Sequence, residues 1–545
     1  MTLPRLLPEK PNDPARTDSV LLAVYAPFGT DPVLSTYPDG DSQTLAQHPL
    51  VQGLLKVADA GVHVCALIDR VDDDTWLVEI EAGKPAGMVV TSRWKQDMSQ
   101  PRNLAGFLRH AHRSRPTSAI VLALEGHGAG FLPEIDRTQL DTATLTDNGR
   151  FEWRFDDDSA APVLPGDSPL LPGGSPMLPG GSPMLPGGSP MLPANHMPLS
   201  TWGLGAALRM ALEAGVPRLS VIHFDNCFNM SVEVLHTVAP YADYATGYPN
   251  YNFFTAGAPY PGVFDKLRQQ GSATAQLLAL WFAEGNHAIL QAKGNHPTAG
   301  CVVRLARMGA IAERVDDLAD ALLAAMRSAP GPDQRKVVVQ RIMNAIILAQ
   351  QYDTESGFSL ETPDQLTDLY SFASQLLKFD FRPHPVHPAC RALQDALKGI
   401  KVYGDADQPW VADGTGITWN FGSPLLAMNI FLPDPLLRGV WDWRSPFYLD
   451  VNPDPARPPV QPHIIEFVKV TDWVDFLIEY HRDSPLDGSY VRLLPAAIPE
   501  FPVFNASFKP SQKVPGKPGS TGAAGTLPHL PYTPPAAGRT RRTQG

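Results

Sequence analysis

The feature that most constrains the fold is an alternation of short apolar runs with segments of helical spacing. The apolar runs are SVLLAVYAPF (19–28), GVHVCALIDR (61–70), SAIVLALEGHGAG (118–130) and RLSVIHFDNCF (218–228). Helical spacing follows them at 42–59, 103–113 and 202–215, and TWLVEI (75–80) has the character of a hairpin or edge strand. Short apolar runs are typical of strands buried on both faces, and intervening helices favour parallel pairing. We therefore predict an α/β fold with a mostly parallel sheet flanked by helices.

The composition changes along the chain and suggests a core with appendages. In chain order we predict a flexible arm (1–17), an α/β core (18–300) interrupted by a Pro/Gly-rich linker insert (150–198), a helical subdomain (301–400), strands and a helix that complete the core (401–490), and a disordered basic tail (491–545). The tail is dominated by Pro, Gly, Ser, Thr and Ala, a composition that rarely builds a core.

The insert contains one seven-residue unit, G-(G/D)-S-P-(L/M)-L-P, written four times over residues 166–194. Proline removes backbone donors and opposes helix and sheet interiors, while the glycine pairs keep the joints loose. We expect a surface linker whose number of copies can vary without disturbing the core.

Charge and cysteine content narrow the class of protein. The net charge of −12, from 44 basic and 56 acidic residues, argues against nucleic acid as a partner. The 4 cysteines do not make a disulfide framework, which favours a reducing compartment. The opening residues lack the apolar core of a signal peptide, and no apolar run reaches the ~18–20 residues that span a bilayer. We expect a cytoplasmic protein with no membrane partner.

Two strand ends bring together residue types that can do chemistry. The third strand runs into Glu125-Gly126-His127-Gly128, and the fourth runs into Asp225-Asn226-Cys227. Reactive groups in open α/β sheets usually lie at the carboxyl ends of the strands. A histidine beside a cysteine can accept the thiol proton and create the attacking thiolate. Alone, each residue also has a simpler interpretation, as a loop histidine or a buried apolar cysteine.

The surroundings of these residues resemble clostripain, peptidase family C11, in the caspase-like group of cysteine peptidases. That group has a strand ending in His-Gly and a later strand ending in Asp-x-Cys, which are LALEGHGAG and VIHFDNCF in this chain. The resemblance covers roughly residues 18–485 and continues in MSVEVLHTVAPYADYATG (230–247), DLYSFA (368–373), NIFLP (429–433) and DWVDFLIEY (472–480). It implies a caspase-like fold and a cysteine endopeptidase.

The resemblance also implies a role for each matching residue. His127 would be the general base and acid, Cys227 the nucleophile, and Gly128 the oxyanion donor. Asp225 would lie in the S1 pocket and select arginine or lysine at P1. Two features depart from the family pattern: Asn226 stands where a small residue is common, and no acid occurs between Tyr244 and Phe264. These departures bear on the basic P1 preference more than on catalysis.

The insert lies between the two motif strands, in the interval where zymogens of this group are cut. If Asp225 selects arginine, the nearby cleavage sites are Arg150 and Arg154, because residues 155–208 contain no Lys or Arg. We expect self-processing before the repeat. The alternative function is a catalytically silent caspase-like scaffold that acts as a regulatory or binding module.

Cofactors and partners follow from the same residues. The predicted partner is a protein or peptide substrate, and no oligomeric state follows from the sequence. His384, His387 and Cys390 have ligand-like spacing without an obvious fourth ligand, so we predict no metal site there. No cofactor is required by the sequence, and only the resemblance to clostripain admits calcium.

Overall fold

In a computed structural model, the chain is described at residues 17–28, 32–35, 44–70, 74–84, 89–94, 98–117, 119–126, 128, 130–132, 199–250, 252, 255–293, 298–352, 366–405, 410–411, 418–419, 426, 428–432 and 463–483. The repeat and the tail at 491–545 lie outside these residues, as does the predicted arm at 1–17 except for Thr17, which forms an isolated bridge with Ala273.

Within the described residues, one nine-stranded sheet organises the fold, in the order β10-β8-β7-β6-β5-β1-β2-β3-β4. Its strands are β1 Val20–Pro27, β2 His63–Arg70, β3 Asp74–Ile80, β4 Val89–Trp94, β5 Ala119–Glu125, β6 Leu219–Asp225, β7 Ala242–Gly247, β8 Thr298–Arg304 and β10 Lys401–Asp405. The five central strands, from β2 to β7 in this order, pair in parallel. The strands at both ends pair antiparallel. The predicted fold class, a mostly parallel sheet flanked by helices, is confirmed.

In the part of the chain that the structure describes, four further strands form two small antiparallel pairs. β11 Trp410–Val411 pairs with β12 Thr418–Trp419, and β9 Leu366–Asp368 pairs with β13 Asn429–Phe431. The second pair lies beside the main sheet, because Ser231 forms an isolated bridge with Asn429. This bridge joins a late part of the chain to the segment that follows β6.

The helices cover both faces of the sheet. They are α1 Pro32–Ser35, α2 Pro49–Asp59, α3 Pro101–Ser114, α4 Thr201–Glu213, α5 Val232–Val238, α6 Tyr260–Gln270, α7 Ala275–Lys293, α8 Met308–Arg327, α9 Pro332–Leu348, α10 Leu369–Leu376, α11 Val386–Leu397, α12 Glu466–Val470 and α13 Trp473–Asp483. No helix within the described ranges is long and apolar enough to cross a membrane.

Alternate residues of the central strands enter two separate cores. Leu21, Ala23 and Tyr25 of β1 pack with α3–α5 and α8–α13. The intervening residues of β1 pack with α2, α6 and α7 on the other face. This alternation is the period-two pattern of a strand, and it produces three layers.

The helices between 308 and 397 belong to this layered core. Their buried side chains share one apolar cluster with β5 and β6, so they cover the sheet instead of packing only on one another. The predicted boundary at residue 301 falls inside β8, whose Cys301 pairs with Val402 of β10. The helices are inserted between two adjacent strands of one sheet, and helical periodicity alone does not reveal that connection.

The two ends of the insert-bearing segment are joined by hydrogen bonds. The Leu132 N–H donates to Thr201 Oγ1 at 2.9 Å, and the Thr201 N–H donates to the Leu132 carbonyl at 3.0 Å. Residues 133–198, including the predicted processing sites Arg150 and Arg154, lie outside the described part of the chain. The chain therefore leaves the core at Leu132 and re-enters it at Thr201, two residues that are hydrogen-bonded to each other.

Candidate active site

Cys227 lies at the carboxyl edge of the sheet, two residues after the end of β6. Strands β5 and β6 run in parallel, with Glu125 opposite Asp225 at their ends. Both motif strands therefore end at the same edge, as the sequence predicted from their parallel order. His127 itself lies outside the described residues, so its predicted role as general base stays a prediction.

Gly128 lies directly against the cysteine backbone. A Cβ atom at position 128 would lie 2.0 Å from the Cys227 carbonyl oxygen and 3.0 Å from the Cys227 nitrogen. No side chain fits this approach, so glycine is required here for contact between the two loops. The predicted oxyanion donor is thus adjacent to the predicted nucleophile.

The Cys227 thiol is fully buried and held by one backbone segment. Its Sγ lies 3.5 Å from the Asn252 carbonyl oxygen and accepts the Asn252 N–H at 3.4 Å. Burial raises the pKa of the thiol to about 12, although the hydrogen bond to Asn252 lowers that pKa. The thiol is therefore protonated at neutral pH in this state, and attack on a carbonyl requires a base and access to the sulfur.

Asp225 faces a set of donors from its own chain. Its Oδ1 accepts from Asn252 Nδ2 at 2.9 Å, and its Oδ2 accepts from Thr255 Oγ1 at 2.8 Å. The Tyr260 hydroxyl lies 3.4 Å from the same Oδ2. The carboxylate is fully buried. Each of its oxygens accepts a hydrogen bond from a side chain of the protein itself. Asp225 remains the predicted acid of the S1 pocket. A basic substrate side chain would have to displace these donors to pair with it.

Glu125 forms the second half of a buried carboxyl pair. The Tyr260 hydroxyl donates to Glu125 Oε1 at 2.5 Å and so contacts both carboxyl groups. Glu125 Oε2 is buried with no donor among the described residues. Burial, followed by repulsion from Asp225, raises the pKa of Glu125 well above its usual range. Burial beside a second carboxyl group therefore favours the protonated form of Glu125 over its charged form.

Asparagine side chains tie the neighbouring loops together. Asn229 Nδ2 donates to Asn226 Oδ1 at 2.8 Å, and Asn229 Oδ1 accepts the Gly130 N–H at 3.2 Å. Asn429 Nδ2 donates to the carbonyls of Phe228 at 2.9 Å and Pro249 at 2.7 Å. These contacts connect the loops after β5 and β6 to the segment before Asn252 and to β13.

The residue after the nucleophile has an unusual backbone. Phe228 is buried with φ of 62°, in the left-handed region that a bulky side chain rarely adopts. Its N–H donates to the Asn250 carbonyl at 2.9 Å, while its own carbonyl accepts from Asn429. Such strain persists only where surrounding contacts fix the chain, and it turns the backbone sharply beside Cys227.

A cavity of about 70 Å³ opens beside Gly128 and Asn226 at the ends of β1, β5 and β6. Its wall is mostly apolar, with Tyr25, Met98 and Leu204 among its side chains, and Asn229 adds an amide. Among the described residues of this wall, Glu125 is the one acid, and burial raises its pKa.

Sequence reasoning missed most of the residues that hold the thiol. The sequence assigned no role to Glu125, Asn252, Thr255, Tyr260 and Asn429, although three of them lie in GYPNYNFFTAGAPY (247–260), within the stretch that lacks acids. The amides and hydroxyls in that stretch were the available signal, since buried carboxylates need donors.

One group of potential metal ligands lies elsewhere, among the residues that the structure describes. Cys65 Sγ, a carboxylate oxygen of Glu79 and a ring nitrogen of His110 lie within 4.8 Å of one another on β2, β3 and α3. Glu79 already pairs with His110 at 3.3 Å. A thiol and an imidazole do not suit calcium, which prefers oxygen ligands, so this group does not bear on the calcium expectation.

The two histidines and the cysteine with ligand-like spacing at 384–390 contact protein groups. His384 Nε2 lies 2.7 Å from Ser328 Oγ, and His387 Nε2 lies 2.6 Å from the Phe379 carbonyl oxygen. Cys390 is buried in the apolar core. These two contacts join helix α11 to the end of helix α8 and to the turn before it.

A thiol at the carboxyl edge of a mostly parallel sheet, against a glycine loop from the neighbouring strand, is the arrangement of an α/β cysteine peptidase. A sequence model of the clostripain family, Peptidase_C11, matches residues 204–477, half of the chain. The chain belongs to this family of cysteine peptidases and is a hydrolase. The matched range includes Asp225 and Cys227 and begins after His127 and Gly128.

Three solved structures are similar to this chain. A secreted C11 cysteine protease from Bacteroides thetaiotaomicron with an irreversible peptide inhibitor has 15% identity and a TM-score of 0.47, over 78% of this chain and 98% of that one. The C11 protease iotapain from the same organism has 12% identity and a TM-score of 0.48, over 76% and 93%. An inactive zymogen C11 protease from Parabacteroides distasonis has 13% identity and a TM-score of 0.46, over 84% and 99%. No curated protein sequence matches the chain.

Proposed function

We propose that the protein is a cysteine endopeptidase that works through a His127–Cys227 dyad and an acyl-enzyme. The observation that carries the proposal is the contact between Gly128 and the Cys227 backbone, with a Cβ at position 128 only 2.0 Å from the Cys227 oxygen. His127 precedes Gly128 in the chain, so this contact supports a histidine beside the thiol.

In the proposed mechanism, His127 takes the Cys227 proton and the thiolate attacks the scissile carbonyl. The Gly128 N–H stabilises the oxyanion, an effect that is worth ~10²–10³ in kcat for one donor in related chemistry. His127 then protonates the leaving amine, and water, with the same histidine as base, releases the acyl group. The base is essential because burial raises the pKa of the thiol to about 12.

We also propose that the intact chain is a precursor whose thiol becomes accessible on cleavage. The support is that Cys227 is fully buried in the intact chain, where no substrate reaches it. Arg150 or Arg154 is the proposed site of self-cleavage, and the bonded pair of Leu132 and Thr201 would keep the two pieces together. A cytoplasmic location and a basic P1 preference stay predictions.

The experiment compares the wild-type chain with Cys227→Ala and His127→Ala after purification. Wild type should cut itself near the insert and hydrolyse reporter peptides, while both variants stay intact and inactive with unchanged circular dichroism. Mass spectrometry locates the cut, with Arg150→Gln/Arg154→Gln as the matched control. If wild type stays intact and hydrolyses no peptide with Arg, Lys, Leu or Gln at P1, the silent-scaffold alternative holds instead.

A further inference from the structure

We propose that Cys65, Glu79 and His110 form a binding site for a transition-metal ion of the zinc class. The proposed peptidase mechanism uses none of these residues, so the inference goes beyond the proposed function and does not depend on it. The site lies on β2, β3 and α3, and in the sheet β2 is three strands away from β6, the strand that leads to Cys227.

The strand register places two of the three ligands side by side. β2 and β3 pair antiparallel, with Cys65 directly opposite Glu79. Directly opposed residues of an antiparallel pair point to the same face, with Cβ atoms about 4.5–5.5 Å apart. The next pair on this face, Leu67 and Leu77, is fully buried, whereas the side chain of Glu79 is 21% exposed. Cys65 and Glu79 therefore lie at the rim of the core, where an ion can enter from solvent.

Helix α3 supplies the third ligand over this face of the sheet. Phe107 and Ala111 of α3 pack into the same apolar core as Cys65. His110 lies beside this contact, with its side chain 20% exposed, and its Nε2 is 3.3 Å from Glu79 Oε1. Three different elements of the fold therefore bring a thiol, a carboxylate and an imidazole to one point.

The distances fit one tetrahedral ion after small shifts. Cys65 Sγ, a carboxylate oxygen of Glu79 and a ring nitrogen of His110 all lie within 4.8 Å of one another. Zinc bonds of about 2.0–2.1 Å to nitrogen or oxygen and about 2.3 Å to sulfur place tetrahedral ligands about 3.3–3.6 Å apart. The distance between Glu79 and His110 already has this value. The two distances to the sulfur need to shorten by at most about 1.3 Å, which side-chain rotation of the two partly exposed residues can supply.

The donor set determines the class of metal. A thiolate and an imidazole suit zinc and cobalt(II), whereas calcium and magnesium prefer oxygen ligands. Three protein ligands leave the fourth tetrahedral position for water. Coordination through His110 Nε2 displaces only the contact of this atom to Ser114 Oγ, which at 3.4 Å is a weak hydrogen bond.

The charges at the site match a divalent cation. The Cys65 thiolate and the Glu79 carboxylate together carry two negative charges, and the positive charge of Arg115 acts on Cys65 less strongly than the negative charge of Glu79 does. Because the thiolate is the ligand, binding forms a metal–sulfur bond and releases the Cys65 proton to solvent. The His110 ring binds as the neutral imidazole.

The test titrates cobalt(II) and then zinc into the full chain that carries Cys227→Ala. This background removes the proposed nucleophile, a second thiol that can bind metal, and with it the proposed self-cleavage. Cobalt(II) bound by a thiolate has a sulfur-to-metal charge-transfer band in the near ultraviolet, which reports the bond to Cys65. Zinc should abolish the band because it takes the same donors, whereas an excess of calcium should leave it unchanged.

Variants in the same background assign the site. Cys65→Ser should abolish the cobalt band, and Glu79→Gln and His110→Gln should each weaken zinc binding by at least about tenfold, since even the loss of a group that only supports a ligand costs about 10–100-fold. His112→Gln is the matched control on α3, because helix residues two apart do not face each other. Cys390→Ser is the control at another buried cysteine. Both controls should bind zinc and cobalt(II) as the background chain does.

Thermal unfolding gives a second readout. Zinc should raise the unfolding midpoint, because an ion that binds the folded chain stabilises it, and the rise should shrink in Glu79→Gln and His110→Gln. If Cys65→Ser fails to fold by circular dichroism, these two variants decide, since both of their side chains lie at the partly exposed rim.

Absence of the thiolate band in the background chain overturns the proposal, as does unchanged zinc affinity in the folded ligand variants. Loss of the band in Cys390→Ser places the metal elsewhere and has the same consequence. Every readout is independent of peptide hydrolysis. A wild-type chain that is inactive on all reporter peptides therefore contradicts the proposed function alone.

Discussion

The backbones of Gly128 and Cys227 are in direct contact, with a Cβ at position 128 only 2.0 Å from the Cys227 carbonyl oxygen. The obstacle is backbone, which no side-chain rotation can remove. The two loops that follow β5 and β6 are therefore packed as one unit, and glycine at 128 is a condition for the site to form.

Gly128→Ala should abolish peptidase activity and destabilise the fold by roughly 1–3 kcal/mol, the usual cost of forcing a methyl group into a packed region. Urea unfolding and reporter hydrolysis check this. Gly262→Ala is the matched control, because position 262 in α6 has open space and an ordinary helical backbone. That variant should be as stable as wild type or gain ~0.5–1 kcal/mol. Wild-type activity in Gly128→Ala is the contrary result.

Asn429→Asp should loosen the loops around Cys227, although Asn429 lies far from Cys227 in the sequence. The asparagine amide donates to the carbonyls of Phe228 and Pro249, and an aspartate keeps the shape while removing both donors. Since two buried carbonyls then lose their partners, we expect ~2–4 kcal/mol lower stability and loss of reporter hydrolysis. Urea unfolding measures the first effect. A variant as stable as wild type shows that these two hydrogen bonds do not hold the loops.

Glu125→Gln should change how stability depends on pH. The folded-state pKa of Glu125 is raised, so its neutral form stabilises the fold fully below the unfolded-state pKa of ~4.3, and this contribution is lost as pH rises toward the folded-state pKa. Glutamine does not titrate. The free energy of unfolding of the variant relative to wild type should therefore rise with pH above ~4.3, by at most ~1.4 kcal/mol per pH unit. Parallel pH curves contradict a neutral Glu125.

His48 should impose the opposite pH dependence. Its Nδ1 accepts the Leu50 N–H and its Nε2 contacts the Leu34 carbonyl, which requires a neutral ring, and burial lowers its pKa to about 4. The lowered pKa gives stability that is present above ~6.5 and lost as pH falls through about 4, roughly 3 kcal/mol in total. His48→Asn, whose side chain can still accept at this N-cap, should remove that slope in urea unfolding between pH 7 and 4.

Deleting residues 173–193, three of the four repeat units, should leave the core intact. The segment begins and ends at the bonded pair of Leu132 and Thr201, and shortening a loop of this length changes its closure free energy by only a few tenths of a kcal/mol. Thermal unfolding of the deleted and full chains should therefore coincide. Thr201→Val, which removes the Oγ1 acceptor, is the variant expected to lower the midpoint.

The sequence determined the architecture because its information is local and periodic. The four apolar runs became β1, β2, β5 and β6, and the segments of helical spacing became α2, α3 and α4 close to their predicted bounds. The order of strands and helices then required parallel pairing, which brought the ends of β5 and β6 to one edge. Cys227 and Gly128 could be selected on that basis, and the resemblance to clostripain added Asp225.

Only the tertiary structure decided what surrounds those residues. Asn252 and Tyr260 reach Asp225 across a loop, and Asn429 comes from two hundred residues further along the chain. No periodicity or motif in the sequence predicts such contacts, because the fold decides which donor lies opposite which acceptor. The same holds for Glu125, which in sequence is simply the last residue of an apolar strand. Burial beside Asp225 is what raises its pKa, and burial is a property of the assembled chain.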